Sequence, residues 1–182
     1  MNRVSPAWML VLCVVFCGCA SHQATATRPA SAGMVGYTPP KGGFTTQYPS
    51  AWHPGTGKDT LNLAPAKDDS GGKRRLSIDV PDIPFHLPGM MTMGAVQKGF
   101  TDDLQKRFQG LHIDSVSDQA MAGARAKRIK ATGKEGGTPM VIDAVVAMNH
   151  EQVYIISSES DQAGAKAGSA AVDAIVTAWQ WN

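Results

Sequence analysis

Cysteine is absent from this 182-residue chain after residue 19. The three cysteines are Cys13, Cys17 and Cys19, so no thiol remains downstream of them to form a disulfide. A domain of about 150 residues buries about 68–70% of its unfolded surface, which can support a core without cross-links. We therefore predict one self-sufficient domain that is not held together by disulfides.

An excess of charge of one sign is also missing. The chain has 17 Lys and Arg residues against 15 Asp and Glu residues, a formal net charge of +2. Nucleic-acid binding requires a strongly basic field, because the partner is a dense array of phosphates. The charge balance therefore argues against nucleic acid as a partner.

The chain begins with an apolar run that is too short to cross a bilayer. Residues 7–16 are uniformly apolar, well short of the roughly 20 that a spanning helix needs. Arg3 precedes this run and the small residue Gly18 follows it. A positive residue, a short apolar run and a small residue are the parts of a cleaved signal peptide. We therefore predict that residues 1–18 are a signal peptide.

The sequence Gly18-Cys19-Ala20-Ser21 resembles the lipobox of bacterial lipoproteins. In that family the cysteine receives acyl chains, palmitate among them, and becomes the mature N-terminus. The resemblance implies lipid attachment at Cys19, a location in the cell envelope and contact with the membrane through the lipid. Ala20 resembles the pattern sent to the outer membrane, facing the periplasm, in organisms with two membranes. An ordinary secretory signal with a chance cysteine is the alternative.

Composition divides the rest of the chain in two. Residues 19–36 are rich in Ala, Ser and Thr without periodicity, which is typical of a flexible tether. From residue 37 to residue 182, Trp, Tyr, Phe, Val and Ile appear in spaced clusters. We predict that this second part is a single folded domain.

Hydrophobic periodicity predicts seven strands and two helices in that domain. The predicted strands cover residues 44–48, 60–64, 76–80, 113–116, 124–132, 140–149 and 152–160. One amphipathic helix is expected over residues 92–109, and a second one from Ser160 or Asp161 to Trp179. Short loops between successive strands favour antiparallel pairing, and mid-sheet positions are apolar on both faces. The prediction is an α+β fold in which helices sandwich an antiparallel sheet of about six to seven strands.

One motif resembles a known family. The segment Gly43-Phe44-Thr45-Thr46-Gln47-Tyr48-Pro49-Ser50-Ala51-Trp52 is similar to the opening of PsbP-like domains, in which an aromatic strand ends in Tyr-Pro-x-x-Trp. The resemblance implies an α/β/α sandwich that is usually not an enzyme and often an accessory or assembly factor of a membrane complex. No segment of this chain matches the functional residues of the photosynthetic members.

Motifs for catalysis, cofactor binding or metal binding are missing. Gly57-Lys58 is followed by Asp59, where a phosphate-binding loop needs a Ser or Thr hydroxyl. No Gly-x-Ser-x-Gly sequence is present to expose a serine nucleophile. The five histidines never recur at the two- or four-residue spacing of a metal site. We therefore expect no catalytic residue, no cofactor and no metal site.

Asp143 interrupts an otherwise apolar strand. Pairing the strands on either side of residues 133–138 places Arg128 opposite Asp143, and the next hairpin, about residues 150–151, places Val145 opposite Ile156. One interpretation is a structural ion pair between Arg128 and Asp143. The alternative is a tuned acid, which would make the protein a small-ligand carrier or an enzyme using a cleft near Asp143.

Two surface segments are candidate contacts for a partner, which we expect to be another envelope protein. The first is a basic run, which is either a solvated turn or a contact with acidic groups. The second is an apolar loop, which is either a cover over the core or an adaptable binding lip. Their residues are Lys73, Arg74 and Arg75 in the basic run, and Phe85, Leu87, Met90 and Met91 in the apolar loop.

Overall fold

The structure is a computed structural model that describes residues 32–40, 42–55, 61–65, 73–82, 92–150 and 152–182. Ten strands and two helices lie within these ranges. In chain order they are β1 (Met34–Tyr37), β2 (Phe44–Pro49), β3 (Trp52–Pro54), β4 (Leu61–Pro65), β5 (Arg74–Asp79), α1 (Met93–Arg107), β6 (Gln109–Met121), β7 (Ala124–Glu135), β8 (Thr138–Asn149), β9 (Gln152–Ser160), α2 (Ala165–Ala178) and β10 (Gln180–Trp181).

An antiparallel sheet of seven strands forms the centre of the molecule, in the order β3-β4-β5-β9-β8-β7-β6. A smaller sheet has the order β1-β2-β10. The predicted antiparallel sheet of six to seven strands is confirmed. The α/β/α description is only roughly matched, because the described residues are mostly β-structure, although each face of the large sheet carries one helix.

The two helices pack on opposite faces of the large sheet. Successive strand residues point to opposite sides, so neighbouring residues of one strand face different helices. On β8, Val145 and Ala147 face α2, and Ile142 and Val146 face α1. The α2 side carries the larger core, which also contains Tyr48, Trp52 and the inward residues of β4 and β5. Helix α1 packs on β6, β7 and β8 through Leu104, and Phe108, which follows the last residue of the helix, joins the same cluster.

Aromatic contacts join the motif of residues 43–52 to the C-terminal residues. Phe44, at the start of β2, stacks on Trp179 with a ring-centroid distance of 3.9 Å. Tyr154 meets both rings edge-on, and Trp181 in β10 pairs with Phe44 in the small sheet. Aromatic pairs of this kind add about 0.5–1.5 kcal/mol to the contribution of buried area. The two ends of the described domain are therefore held against each other.

The hairpins show where the predicted register holds and where it is wrong. Val145 lies opposite Ile156, as predicted. Arg128, however, lies opposite Val145, and the partner of Asp143 is Lys130. The reason is the turn: Gly136 and Gly137 have φ values of 57° and 84°, so they close a two-residue turn that favours glycine at both positions. The strands consequently run through Glu135 and Thr138 and shift the pairing by two residues.

Several element boundaries differ from those predicted. Strand β6 has 13 residues where four were expected, because its largely exposed, polar sequence lacks the apolar alternation of a half-buried strand. Helix α2 begins at Ala165, since β9 continues to Ser160 and Asp161 then accepts a hydrogen bond from the Gly164 N–H at 2.7 Å. Residues 34–36, which the composition assigned to the tether, pair with β2.

Candidate functional site

Four polar side chains form the Asp143 cluster, between the sheet and α2. Arg128 donates from Nε to Asp143 Oδ1 at 2.8 Å and from Nη2 to Asp143 Oδ2 at 2.7 Å. Ser169 donates its hydroxyl to Asp143 Oδ2, and Arg128 Nη1 bonds Asp173 Oδ1 at 2.5 Å. Arg128 and Asp143 are thus brought together, and helix α2 adds two partners that the sequence did not indicate.

The contact survives the shifted register because a shift of two residues leaves every side chain on its original face. Arg128 and Asp143 are diagonal neighbours, and a long side chain reaches across that separation. Hydrogen bonding to Asp143 raises the pKa of Arg128, as does the hydrogen bond to Asp173, although burial opposes both. Arg128 therefore stays cationic throughout the pH range in which proteins are studied.

An open depression of about 530 Å³ lies beside this cluster, between β8 and the first half of α2. Asp143 lines it, but only 4% of the residue is exposed and its carboxylate accepts three hydrogen bonds. The lining also includes Lys130 and Lys166. The carboxylate of Asp143 is thus directed at Arg128 and Ser169.

The basic run is a row of ion pairs. Lys73 Nζ lies 3.7 Å from Glu135 Oε2, Arg74 Nε lies 3.5 Å from Asp161 Oδ1, and Arg75 contacts Glu135 at 2.8 Å. Arg74 and Arg75 belong to β5, so they are not part of a loop. The positive charge of this segment is therefore largely matched by neighbouring carboxylates.

Two predicted features lie outside the described residues. One is the apolar loop with Phe85, Leu87, Met90 and Met91. The other is Cys19, together with the signal peptide and most of the tether.

On the α1 side of the sheet a second charged group, the Glu159 cluster, joins four elements. Glu159 in β9 is only 4% exposed, and its Oε2 accepts from Arg75 Nε at 3.0 Å and from Arg107 Nη2 at 2.6 Å. Arg75 Nη2 also donates to Glu135 Oε1 of β7 at 2.8 Å. One buried carboxylate thus holds two guanidinium groups side by side at the end of α1.

The pairing shifts two pKa values in this cluster. The hydrogen bond from Arg75 lowers the pKa of Glu135, and the charges of Arg75, Lys73 and Arg107 act in the same direction against burial. Burial lowers the pKa of Arg75, but hydrogen bonds and charge from Glu135 and Glu159 outweigh it and raise the net value. Both groups are therefore charged near neutral pH.

Beside the Glu159 cluster lies a polar cleft with a volume of about 420 Å³. Helix α1 covers β6, β7 and β8, so the same face of β4, β5 and β9 is left as the floor of this cleft. Residues from the floor and from the α1 wall line it, namely Asn62, Arg75, Ser77, Asp79, Val80, Pro81, Phe100, Asp103, Arg107, Ile155, Ser157 and Glu159.

Sequence reasoning missed this cleft, although one signal was available. Arg75, Ser77 and Asp79 alternate with the buried Leu76 and Ile78, so one face of β5 is polar along its whole length. Such alternation marks an uncovered face. What the sequence did not indicate is that β9 places Ser157 and Glu159 opposite this row.

Hydrogen bonds continue along the floor. Ser77 Oγ lies 3.0 Å from Ser157 Oγ and 2.8 Å from Asp79 Oδ2. Within the described part of the chain, neither Asp79 nor Asp103 forms an ion pair with a basic side chain. The cleft therefore has matched charges at its Arg75 end and unmatched carboxylates towards Asp79.

Neither described helix has the length and apolar character needed to cross a bilayer. Over the same residues, no three side chains of the His, Cys, Asp or Glu type are arranged to hold a metal ion.

Comparison with known proteins identifies the fold. No family model and no curated protein matches the sequence. The solution structure of cyanobacterial PsbP (CyanoP) from Synechocystis is similar with a TM-score of 0.59 and 14% identity, over 85% of this chain and 95% of that one. A protein of unknown function from Pseudomonas aeruginosa, PA94, described as a putative regulator, gives a TM-score of 0.50 at 14% identity, over 77% and 91% of the two chains.

A structure from Bacteroides thetaiotaomicron is similar with a TM-score of 0.53 at 14% identity, over 81% of this chain and 48% of that one. These identities support the fold alone. The domain has a PsbP-like fold, which the Tyr48-Pro49-x-x-Trp52 motif predicted.

Proposed function

We propose that the protein is a lipid-anchored component of the cell envelope and that its PsbP-like domain acts by binding. In this proposal it is an accessory or assembly factor of an envelope or membrane complex and is not an enzyme. The observation that carries the proposal is the state of Asp143. This carboxylate, the candidate for a tuned acid, is bonded to Arg128 and Ser169, and only 4% of the residue is exposed.

The second candidate function is a small-ligand carrier or enzyme that uses the depression beside Asp143. It would require the carboxylate to face that space without a partner. The bidentate contact with Arg128 favours the binding role over this alternative.

The anchor is tested by the substitution Cys19→Ala. Two or three acyl chains, at about 0.8 kcal/mol per buried methylene, would hold the protein on membranes almost permanently. We expect Cys19→Ala to move the protein into the soluble fraction, measured by immunoblotting of salt-washed membranes. The control Cys17→Ala should leave the protein on the membranes. Retention of Cys19→Ala on membranes would mean that lipid is not the anchor.

The partner surface is tested by co-purification from gently solubilised membranes. We place it on the apolar loop, so the double substitution Phe85→Ser with Leu87→Ser should abolish co-purification while leaving the melting temperature nearly unchanged. Prolines in this loop limit the ordering entropy that binding would cost. A large fall in melting temperature would instead identify the loop as a cover over the core.

The basic run is the matched comparison. Lys73→Gln removes a half-exposed charge whose ion-pair distance is 3.7 Å, so it should leave β5 intact. Loss of the partner with Lys73→Gln, but not with the loop variant, would move the interaction surface from the loop to the basic run.

A further inference from the structure

We propose that the polar cleft binds a short extended peptide of about four residues, with its free amino group at Asp79 and Asp103 and its carboxylate at Arg75 and Arg107. This inference goes beyond the proposed function, because it concerns a small ligand on the α1 side of the sheet and needs neither the lipid anchor nor the apolar loop.

Charge is ordered along the cleft. On β5 the sequence from Arg75 to Asp79 runs from a basic end to an acidic end, and four strand residues span about 13 Å. On α1, Arg107 and Asp103 are one helical turn apart, and Arg107 contacts Glu159, the residue opposite Arg75. The helix wall therefore has the same order of charge as the floor, but over one turn of about 5.4 Å where the floor spans about 13 Å.

The acidic end of the cleft has the greater need for a ligand group of opposite charge. Asp79 and Asp103 have no basic partner among the described residues, although Ser77 donates a hydrogen bond to Asp79. An ammonium group suits either carboxylate, since it has three N–H donors and a positive charge. The amino end of the ligand is therefore expected to contribute most of the selectivity.

The basic end of the cleft offers hydrogen-bond donors but little net positive charge. Arg75 and Arg107 are held by Glu159 and Glu135, which match their charge. A guanidinium group has five N–H donors, and Arg107 uses one of them in the hydrogen bond to Glu159. Its remaining donors suit a carboxylate, so the ligand's carboxyl end should matter less than its amino end.

The middle of the cleft suits a peptide better than a simple amine. The Asn62 amide and the hydroxyls of Ser77 and Ser157 lie along the floor, where they can bond main-chain N–H and C=O groups. Phe100 and Ile155 supply apolar wall for small side chains. A span of about 13 Å corresponds to about four residues at 3.3–3.6 Å each. The volume of about 420 Å³ is within the usual range for ligand sites.

The experiment is calorimetric titration of the full-length protein with tetra-alanine and its two blocked forms. Because contacts with charged groups are the stronger hydrogen bonds, N-acetylation should weaken binding about tenfold or more, and C-amidation about threefold. Asp103→Asn should weaken the free peptide about tenfold and leave the acetylated one unchanged. Asp102→Asn, which alters the neighbouring residue outside the cleft, should have no effect.

Asp103 is exposed on α1, so its variant should fold with an unchanged melting temperature. Equal affinity of the free and acetylated peptides would overturn the proposal, as would equal binding by Asp103→Asn and the unmodified protein. Absence of measurable binding of tetra-alanine at millimolar concentration would also overturn it. None of these results would alter the expected behaviour of Cys19→Ala or of the apolar-loop variant.

Discussion

The Asp143 cluster makes the sharpest prediction about stability. Side-chain exposure is 15% for Arg128 and 6% for Asp143, so their ion pair is largely removed from water. Removing one partner of a buried pair costs about 3–5 kcal/mol, because the other charge is left uncompensated. We expect Arg128→Ala to lie at the upper end, since Asp143 would keep only Ser169 as a donor.

Asp143→Ala should lie at the lower end of the same range. Arg128 would then still contact Asp173, whose side chain is 58% exposed and accessible to water. The double variant should lose less than the sum of the single losses, with a coupling energy of about 0.5–3 kcal/mol. The measurement is urea unfolding, monitored by the fluorescence of the buried Trp52 and Trp179.

A control cycle comes from the same strand. Lys127 and Asp118 form an ion pair at 2.7 Å, but the Asp118 side chain is 91% exposed. Because water screens such pairs, their coupling should be about 0.2–1 kcal/mol. Additive losses for Arg128 and Asp143, or a coupling no larger than that of the control pair, would refute the buried-pair reasoning.

Two further predictions concern the packing of α2 and the response to acid. Gly168→Ala should destabilise the protein by about 1–3 kcal/mol, because a Cβ there would overlap the hydroxyls of Ser158 and Ser160. The control is Gly99→Ala in α1, where the added Cβ meets open space and should stabilise the protein by up to about 1 kcal/mol. Equal melting temperatures for the two variants would contradict the packing of α2. The pKa of Glu135 is lowered on folding, so its contribution to the free energy of unfolding is present above its ordinary pKa of 4.5 and is lost as pH falls through the lower folded value. The free energy of unfolding of Glu135→Gln should therefore fall less steeply with decreasing pH than that of the unmodified protein. An unchanged pH profile would argue against the pairing.

Local patterns were enough to predict the register of the β8–β9 hairpin and the position of helix α1. Asn149 and Gln152 flank a two-residue turn, and the apolar alternation on either side left one register that buries both strands. Thr92 caps α1 by accepting from the Ala95 N–H at 3.2 Å, close to the predicted start. In these places short-range chemistry and tertiary packing favour the same structure.

Other features depend on distant residues and could not be predicted. Strand β10 has two residues and forms only because β2 offers it an edge. Ser169 and Asp173 acquire their role from the position of α2 over β8, which no local pattern encodes. The polar cleft requires β5 and β9 to be neighbours although Ser77 and Ser157 are 80 residues apart.

The two charged clusters differ in a way that separates stability from binding. In the Asp143 cluster the partners enclose the carboxylate, so its substitution should change the free energy of unfolding and leave ligand contacts unaffected. In the Glu159 cluster the carboxylate is buried, but the side chains of Arg75 and Arg107 are 48% and 40% exposed and border the cleft. Because the clusters lie on opposite faces of one sheet, substitutions in them should be additive in stability. A ligand of the cleft should therefore stabilise Arg128→Ala by the same increment as the unmodified protein, and an unequal increment would show that the two faces are coupled.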